Sequence, residues 1–296
     1  MSRSTSRLRI YLRLGRVSNL PTVWTNVLAG AALAGAALEP GSLALLGLAM
    51  TLFYVGGMFL NDAFDRAIDA RERPERPIPA GLVSAREVFA VGFGLLGAGL
   101  GLVAVQAARA GTGLSPVVSA VLLGGAIVLY DVWHKGNPWS PLLMGLCRVL
   151  VYGTAALAAS GRLSLGVLGG ALSLLFYLIG LTAIAKQENL RSARSLSALG
   201  FLAVPFVYAL SGLASGGVGA LAYAALAGCV FYAVKLLRGQ GRGRVPAAVI
   251  TLIAGISLLD AALIAASGAP GAEGAAAAAI AAFPLTLGLQ RYVRGT

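Results

Sequence analysis

The segment from Leu43 to Asp69 reads LALLGLAMTLFYVGGMFLNDAFDRAID and combines the two patterns that decide the fold of this chain. Leu43 to Asn61 is apolar almost throughout, close to the roughly 20 residues that a helix needs to cross a bilayer core. Polar residues begin abruptly at Asn61, and acidic residues follow. The segment therefore predicts a membrane-spanning helix that ends in an acidic cluster.

The apolar pattern recurs along nearly the whole chain. Of the 296 residues, 58% are hydrophobic and 11% are charged, a composition that excludes a soluble globular protein. We predict an all-α, polytopic transmembrane bundle that forms one integral membrane domain over residues 1–296. The nine predicted spans are Val17 to Leu38, Leu43 to Asn61, Ala85 to Ala108, Pro116 to Tyr130, Pro141 to Ala159, Leu163 to Ala185, Leu196 to Leu213, Val218 to Leu237 and Pro246 to Ala266. A tenth segment, Ala275 to Leu289, contains Pro284, and the sequence leaves open whether it crosses.

The distribution of Lys and Arg predicts the orientation in the membrane. With the N-terminus inside, 20 of the 23 basic residues fall in the N-terminus, the even-numbered loops and the C-terminus, whereas only Arg109 and Arg162 face the other side. Cytoplasmic loops carry such an excess of positive charge. We therefore predict a multi-pass protein of the cytoplasmic membrane whose N-terminus and chemically interesting loops are cytoplasmic.

The net charge of +12 does not indicate nucleic-acid binding, because the basic residues are spread over many loops and form no patch with interleaved aromatics. Cys147, Cys229 and the single histidine, His134, have no metal-binding spacing. We interpret the two cysteines as buried small apolar residues and assign His134 a structural role at the membrane interface.

Five of the eleven acidic residues lie within fourteen positions at the end of the second predicted span. On a continuous helix, Asn61, Asp62, Asp65 and Asp69 fall within an arc of about 100°. Carboxylates that converge in this way repel one another unless a cation neutralises them, and hard oxygen ligands suit Mg²⁺ shared with substrate phosphates. An alternative is a solvated interfacial helix with paired Asp and Arg, but that reading does not require Asn61 and Asp62 at the edge of the apolar run.

The pattern Asn61-Asp62-x-x-Asp65-x-x-x-Asp69, followed by Arg76-Pro77-Ile78-Pro79-Ala80-Gly81, resembles the first signature of the UbiA superfamily of intramembrane prenyltransferases. The resemblance implies a ring of helices around a central cavity open to lipid. It also implies that Asn61, Asp62 and Asp65 bind Mg²⁺ and an isoprenyl diphosphate, with Asp69 as a further metal-site residue and Arg76 as a support. The aspartate pattern of CDP-alcohol phosphotransferases differs, because no Gly follows Asp65 and no second half is present.

The chain departs from the family after the sixth predicted helix, where a second aspartate motif is usual. That region reads Leu181-Thr-Ala-Ile-Ala-Lys186-Gln-Glu188-Asn-Leu190 and keeps one acid, with Lys186 about where an aspartate is expected. Together with Met144-Gly145-x-Cys147-Arg148, it is similar to a divergent bacterial branch, the EboC-type proteins. Either Lys186 contacts the diphosphate directly while Glu188 bridges to it, or both are ordinary juxtamembrane charges.

Three further features indicate a substrate cavity. Arg16, Asn19, Thr22 and Asn26 form a polar stripe on the first span, which faces inward either to bind substrate or to bond neighbouring helices. Arg148 lies about 10 Å inside the fifth span, where a charge is costly and by default functional, with snorkelling as the alternative. Lys135 follows Tyr130 in a loop that resembles the diphosphate-contacting region of the family.

These features predict Mg²⁺-dependent transfer of a prenyl group from an isoprenyl diphosphate to an unidentified aromatic or lipophilic acceptor within the membrane lipid. Asp62, Asp65 and Lys186 are the predicted catalytic residues. The predicted substrate-binding residues are Asn61, Arg76, Lys135, Arg148, Glu188, Asn19 and Asn26. The alternative is a non-catalytic protein that binds or transports an isoprenoid diphosphate, whereas a secondary transporter would require internal repeats that the sequence lacks. The sequence does not indicate the oligomeric state.

Overall fold

A computed structural model describes residues 7–186, 196–238 and 243–293 of the chain. Every regular element in these residues is helical, which confirms the predicted all-α class. The helices are α1 (Arg7–Leu14), α2 (Leu20–Leu33), α3 (Pro40–Phe64), α4 (Arg66–Glu72), α5 (Ala85–Ala110), α6 (Ser115–Trp133), α7 (Ser140–Ser160), α8 (Leu165–Lys186), α9 (Leu196–Ala209), α10 (Gly217–Arg238), α11 (Arg244–Ala266) and α12 (Ala272–Tyr292).

Eight of the described helices are long and apolar enough to cross a membrane: α3, α5, α6, α7, α8, α10, α11 and α12. The chain is therefore an integral, multi-pass membrane protein. Helix α12 contains the tenth predicted segment, whose crossing the sequence left open. Its 21 residues reach spanning length despite Pro284, because a proline in a membrane helix is tolerated where neighbouring groups satisfy the freed backbone.

Two predicted spans are shorter than expected. In place of Val17 to Leu38, a three-residue 3₁₀ turn at Val17–Asn19 leads into α2, whose 14 residues cover about 21 Å. The helix ends before Gly35, which adopts a positive φ of 68° that favours glycine. In place of Leu196 to Leu213, the 14 residues of α9 are followed by the 3₁₀ helix Leu210–Ser215.

Local sequence signals explain where the long helices begin and end. Glu39 caps α3 by accepting backbone N–H bonds from Gly41 and Ser42, with Pro40 in the first turn. Ser84 caps α5 by accepting from the N–H of Glu87. Helix α5 ends at Gly111 in the left-handed conformation, as expected at a helix C-terminus.

Helices α2 and α11 occupy the interior of the bundle. Helix α2 packs against α3, α7, α11 and α12, and α11 also contacts α8 and α10. Almost every residue of α11 from Ala248 to Ala265 is buried, whereas fewer than a third of the residues in the apolar windows of α5, α10 and α12 are buried. Polar side chains on α2 and α11 therefore lie where they contact other helices.

Small residues let some of these helices approach closely. A Cβ added at Gly30 of α2 would lie 2.6 Å from the backbone oxygen of Tyr152, and one added at Gly56 of α3 would lie 2.9 Å from the backbone oxygen of Gly92. Real Cβ atoms avoid such distances, so both contacts require glycine. Gly92 and Gly99 of α5 also face α3 closely, as small residues do where membrane helices pack together.

Candidate active site

The four residues of the acidic pattern lie on one buried face, as predicted. Asn61, Asp62, Asp65 and Asp69 are each at most 7% exposed. Asp65 interrupts the helix, but its backbone stays nearly helical at φ −74° and ψ −6°. The N–H of Asp69 still bonds to the carbonyl of Asp65 at 2.9 Å, so the helical register continues from α3 into α4.

Two arginines neutralise Asp62. Arg16 Nη2 and Arg76 Nη1 both contact Asp62 Oδ1, at 3.1 and 3.2 Å. Arg76 Nη1 also contacts Asp69 Oδ2 at 2.7 Å, and Arg16 Nη2 donates to Asn61 Oδ1 at 3.1 Å. Arg76 therefore joins the two ends of the acidic pattern, in keeping with the supporting role predicted for it.

Arg16, which lies just before the 3₁₀ turn at Val17–Asn19, contacts the acidic cluster and has an unusual backbone conformation. Its φ of 42° and ψ of 45° lie in the left-handed region, and it is the one residue other than glycine with a positive φ in the described chain. This conformation costs about 1–2 kcal/mol for an L-residue. The sequence placed Arg16 in a polar stripe, and the structure gives it a specific partner in Asp62.

Asp65 pairs with the loop after α6. Its Oδ2 lies 3.4 Å from Lys135 Nζ and 3.5 Å from His134 Nε2. Burial acts to raise the pKa of Asp65, but the hydrogen bond and charge of His134 and the charge of Lys135 together lower it below its usual value. Lys135 therefore lies at the acidic cluster. His134, to which the sequence analysis gave only a structural role at the membrane interface, also contacts the cluster.

Asp131 is a site residue that the sequence analysis missed. It lies in the last turn of α6, is 3% exposed, and its Oδ1 accepts a hydrogen bond from Asn61 Nδ2 at 3.1 Å. Its Oδ2 is buried without a hydrogen-bond partner. The available signal was an acid in the last turn of an apolar helix, four residues before Lys135.

The polar stripe of α2 faces inward and binds other helices. Arg148 of α7 donates to Asn26 Oδ1 at 2.7 Å and to Thr22 Oγ1 at 3.2 Å, and its guanidinium lies over the ring of Tyr54. Asn19 accepts from Gln290 of α12 at 2.8 Å. Interhelical bonding by the stripe is therefore confirmed, while substrate contact by Asn19, Asn26 and Arg148 stays a prediction.

A second residue without a predicted role, Asp260 of α11, anchors this deeper network. The carboxylate is fully buried and accepts hydrogen bonds from Thr25, Asn26 and Tyr152. Asn26 bonds both Asp260 and Arg148, so it links the buried carboxylate to the half-buried guanidinium. An acid within an apolar helix of spanning length was the signal that could have revealed it.

The altered second motif lies where the described part of α8 ends. Helix α8 is described as far as Lys186, and Thr182, one turn earlier, contacts Met144 of α7 at 3.5 Å. The side chain of Lys186 and the whole of Glu188 fall outside the described residues. Their predicted roles at the diphosphate therefore stay predictions.

The donor chemistry of the cluster suits a divalent cation. Asn61, Asp62, Asp65 and Asp131 offer the hard oxygen atoms that Mg²⁺ prefers, and the unpartnered Asp131 Oδ2 is a buried acceptor without compensation. Among the described residues, no three Asp, Glu, His or Cys side chains lie close enough together to hold a metal ion as they stand. Asp62, Asp65 and Asp69 instead form ion pairs with basic side chains. The oxygen ligands are therefore of the type that binds a divalent cation, and the cation would compete with the arginines and the lysine for them.

Two apolar grooves lie away from the cluster. One, of about 570 Å³, lies between α3, α5 and α6 and is lined by residues such as Phe53, Leu96 and Val128. The other, of about 750 Å³, lies between α10, α11 and α12 and includes Leu221, Leu258 and Pro284. Neither groove contains a residue of the acidic cluster.

Known proteins are similar to this chain in sequence and in fold. The profile of the UbiA prenyltransferase family matches residues 22–259. Digeranylgeranylglyceryl phosphate synthase of Methanopyrus kandleri is 35% identical over 44% of this chain and 46% of that protein. Chloroplastic chlorophyll synthase of Arabidopsis thaliana is 30% identical over 70% of this chain and 55% of that protein. The chain thus spans about half the length of these curated relatives.

Solved structures show the same fold at lower identity. A UbiA homologue from Aeropyrum pernix in its apo form has a TM-score of 0.67 and 20% identity, covering 82% of this chain and 96% of the other. A UbiA homologue from Archaeoglobus fulgidus bound to DMAPP and Mg²⁺ has a TM-score of 0.50 and 15% identity, covering 96% and 99%.

Proposed function

The chain belongs to the UbiA prenyltransferase family, and on that premise we propose that it transfers a prenyl group from an isoprenyl diphosphate to a lipophilic acceptor within the membrane. The observation that carries the proposal is the convergence of Asn61, Asp62 and Asp65 with Arg16, Arg76 and Lys135 at one end of the bundle. Such a mixture of hard oxygen ligands and cations is what a metal-bound diphosphate requires.

The basic residues bind and orient the leaving group. Arg16 and Arg76 can present guanidinium forks to phosphate oxygens, and the half-exposed Lys135 adds an ammonium at the loop after α6. Prenyl transfer needs no protein nucleophile, because the allylic carbon–oxygen bond breaks as charge moves onto the diphosphate. These preorganised cations therefore stabilise the charge that develops in the transition state.

Magnesium would be held by Asn61, Asp62 and Asp65. When bound, it neutralises the charge developing on the departing diphosphate. The A. fulgidus homologue, which shares the fold, is bound to DMAPP and Mg²⁺, and this supports the pairing of a divalent cation with an isoprenyl diphosphate. Arg16, Arg76 and Lys135 form ion pairs with Asp62 and Asp65, so they also hold the side chains of these two acids in place. Asp69, held by Arg76, orients that arginine, and Lys186 and Glu188 are proposed to face the diphosphate from the end of α8.

The acceptor is proposed only as a lipophilic molecule of the membrane. The two curated relatives are named for different products, digeranylgeranylglyceryl phosphate and chlorophyll. The apolar helices around the polar end accommodate the isoprenoid chain and exclude water, which would otherwise capture the carbocation. Residues 1–296 are proposed to form one such membrane domain.

The function predicts diphosphate release that depends on both Mg²⁺ and acceptor lipid. Purified protein in nanodiscs would be given isoprenyl diphosphates of several chain lengths with total membrane lipid, and diphosphate and prenylated lipids would be measured by mass spectrometry. We expect products with Mg²⁺ and none with EDTA. Tight binding of the isoprenyl diphosphate without any release would instead support the non-catalytic binding protein.

We also propose that the active end of the bundle faces the cytoplasm, because the loops at that end carry most of the basic residues. Single cysteines at Glu72, Lys135 and Arg162 in a chain with Cys147→Ala and Cys229→Ala test this. The first two positions should react with a membrane-impermeant reagent only after the cell is opened, whereas Arg162→Cys should react in intact cells. The reverse pattern would refute the orientation.

A further inference from the structure

Asp131 differs from the other acids of the cluster in having no basic partner. In the described residues, Asp62, Asp65 and Asp69 each lie within 3.5 Å of an arginine, lysine or histidine nitrogen. Asp131 Oδ1 accepts a hydrogen bond from Asn61, whereas Asp131 Oδ2 has no hydrogen-bond partner in the described residues. Some buried side-chain atoms of the described residues lack a hydrogen-bond partner, and among these atoms only Asp131 Oδ2 belongs to an acidic side chain.

An unpartnered, buried carboxylate oxygen is unfavourable. Leaving a buried acceptor unsatisfied costs about 1–3 kcal/mol, and more when the group is charged. At 3% exposure, water cannot supply the missing contact in the way it does on a surface. A cation or a proton at this oxygen would remove that cost.

The position of Asp131 favours a cation. Asn61 donates to Asp131 Oδ1 and accepts from Arg16, so a single side chain joins Asp131 to the pattern that ends α3. Asp131 thus faces the acidic pattern from α6, across from the helix that carries Asn61 and Asp62.

The charge balance of the site points the same way. Among the described residues, the four carboxylates of Asp62, Asp65, Asp69 and Asp131 face two arginines and one lysine, Arg16, Arg76 and Lys135, besides His134. An isoprenyl diphosphate would add further negative charge. A divalent cation beside Asp131 would offset this excess at an acid that forms no ion pair with a basic side chain in the described residues.

We propose that Asp131 is a ligand of the divalent cation, which it approaches from α6, and that it supplies the carboxylate missing from the altered segment after α8. That segment has Lys186 where an acid is expected, so the metal site of this chain is built from α3 and α6. This inference rests on the proposed function, because the cation is the one that accompanies the diphosphate.

The test measures cation binding directly and without turnover. Mn²⁺ would be titrated into the purified full chain with an unreactive isoprenyl thiodiphosphate, and free Mn²⁺ counted by electron paramagnetic resonance. We expect Asp131→Asn to weaken Mn²⁺ binding at least about tenfold, the lower end of what is lost when a group that holds or orients a metal ligand is changed. Asp131→Glu, which keeps the carboxylate, should lose less. Glu273→Gln, which removes an exposed acid of α12, is the matched control for net charge and should bind as the parent does.

Thermal unfolding separates a ligand from a structural residue. A bound ion raises the unfolding temperature of the folded state that binds it. In EDTA, Asp131→Asn should unfold at the same temperature as the parent or higher, since it removes an uncompensated charge. In Mn²⁺ it should gain less stability than the parent. A structural residue would instead lower the unfolding temperature already in EDTA.

The outcomes are distinct. Parent and Asp131→Asn with equal Mn²⁺ affinities would overturn the assignment of Asp131, even while the parent transfers prenyl groups, and the buried oxygen would then carry a proton. A lower unfolding temperature of Asp131→Asn in EDTA, with equal gains from Mn²⁺, would overturn it as well. A parent that binds no Mn²⁺ and releases no diphosphate would overturn the proposed function itself.

Discussion

Replacing Asp62 by Asn is expected to lower the rate of prenyl transfer at least about 10²-fold, the lower end of what is lost when one preorganised electrostatic group leaves an active site. Asp62 is the only carboxylate of the described cluster that both Arg16 and Arg76 contact. Asn keeps the shape but removes the charge, so metal affinity falls and the two arginines lose their common anchor. Diphosphate release under saturating substrate, with and without excess Mg²⁺, would measure the loss.

Glu72→Gln is the matched control for this substitution. Glu72 belongs to the same acidic stretch but is exposed at the end of α4, so removing its charge is expected to change the rate less than about twofold, as for a screened surface charge. If Asp62→Asn retains the parental rate, Asp62 holds neither metal nor diphosphate. If both variants lose activity equally, the effect comes from the charge of the whole stretch and not from the buried site.

Replacing Asp260 by Ala is expected to reduce the free energy of unfolding by about 3–5 kcal/mol, the usual cost of removing one member of a buried charged network. Thr25, Asn26 and Tyr152 would lose their common acceptor on α11, a helix in the interior of the bundle. Arg148 would lose the carboxylate that compensates it through Asn26. Reversible unfolding in mixed micelles with increasing SDS would measure the change.

Ser257→Ala provides the comparison on the same helix. Ser257 is as deeply buried as Asp260, but its hydroxyl bonds only to the carbonyl of Ala254, one turn earlier. Its removal should cost less than about 1 kcal/mol, the size of a single ordinary hydrogen bond. Equal losses in the two variants would mean that cavity formation dominates and that the polar network adds no stability.

The acidic pattern could be predicted from residue spacing alone, because its members are close together in the sequence. The spacing of Asn61, Asp62, Asp65 and Asp69 placed their side chains on one face, because helical rotation per residue is fixed by the backbone. The structure confirms this face despite the interruption at Asp65. Spanning length and apolar composition likewise predicted the long helices, whereas the short α2 was not foreseen.

Partners that come from distant helices were beyond the sequence. Asp131 lies 70 residues from Asn61, and Asp260 lies 235 residues from Thr25. Nothing in the local pattern of α6 or α11 specifies which helix packs beside it or which rotation it adopts. Both acids were visible as isolated charges in apolar helices, a signal that marks a function without naming the partner.

The sequence by itself determined that this chain is an all-helical membrane protein with an acidic, Mg²⁺-suited pattern at the end of one span, because bilayer thickness and helical periodicity act on contiguous residues. Only the tertiary structure decided which cations face those acids, that Asp131 joins them, and that Asp260 anchors the deeper network. These contacts depend on helix packing, where small residues such as Gly30 and Gly56 set how closely two backbones approach.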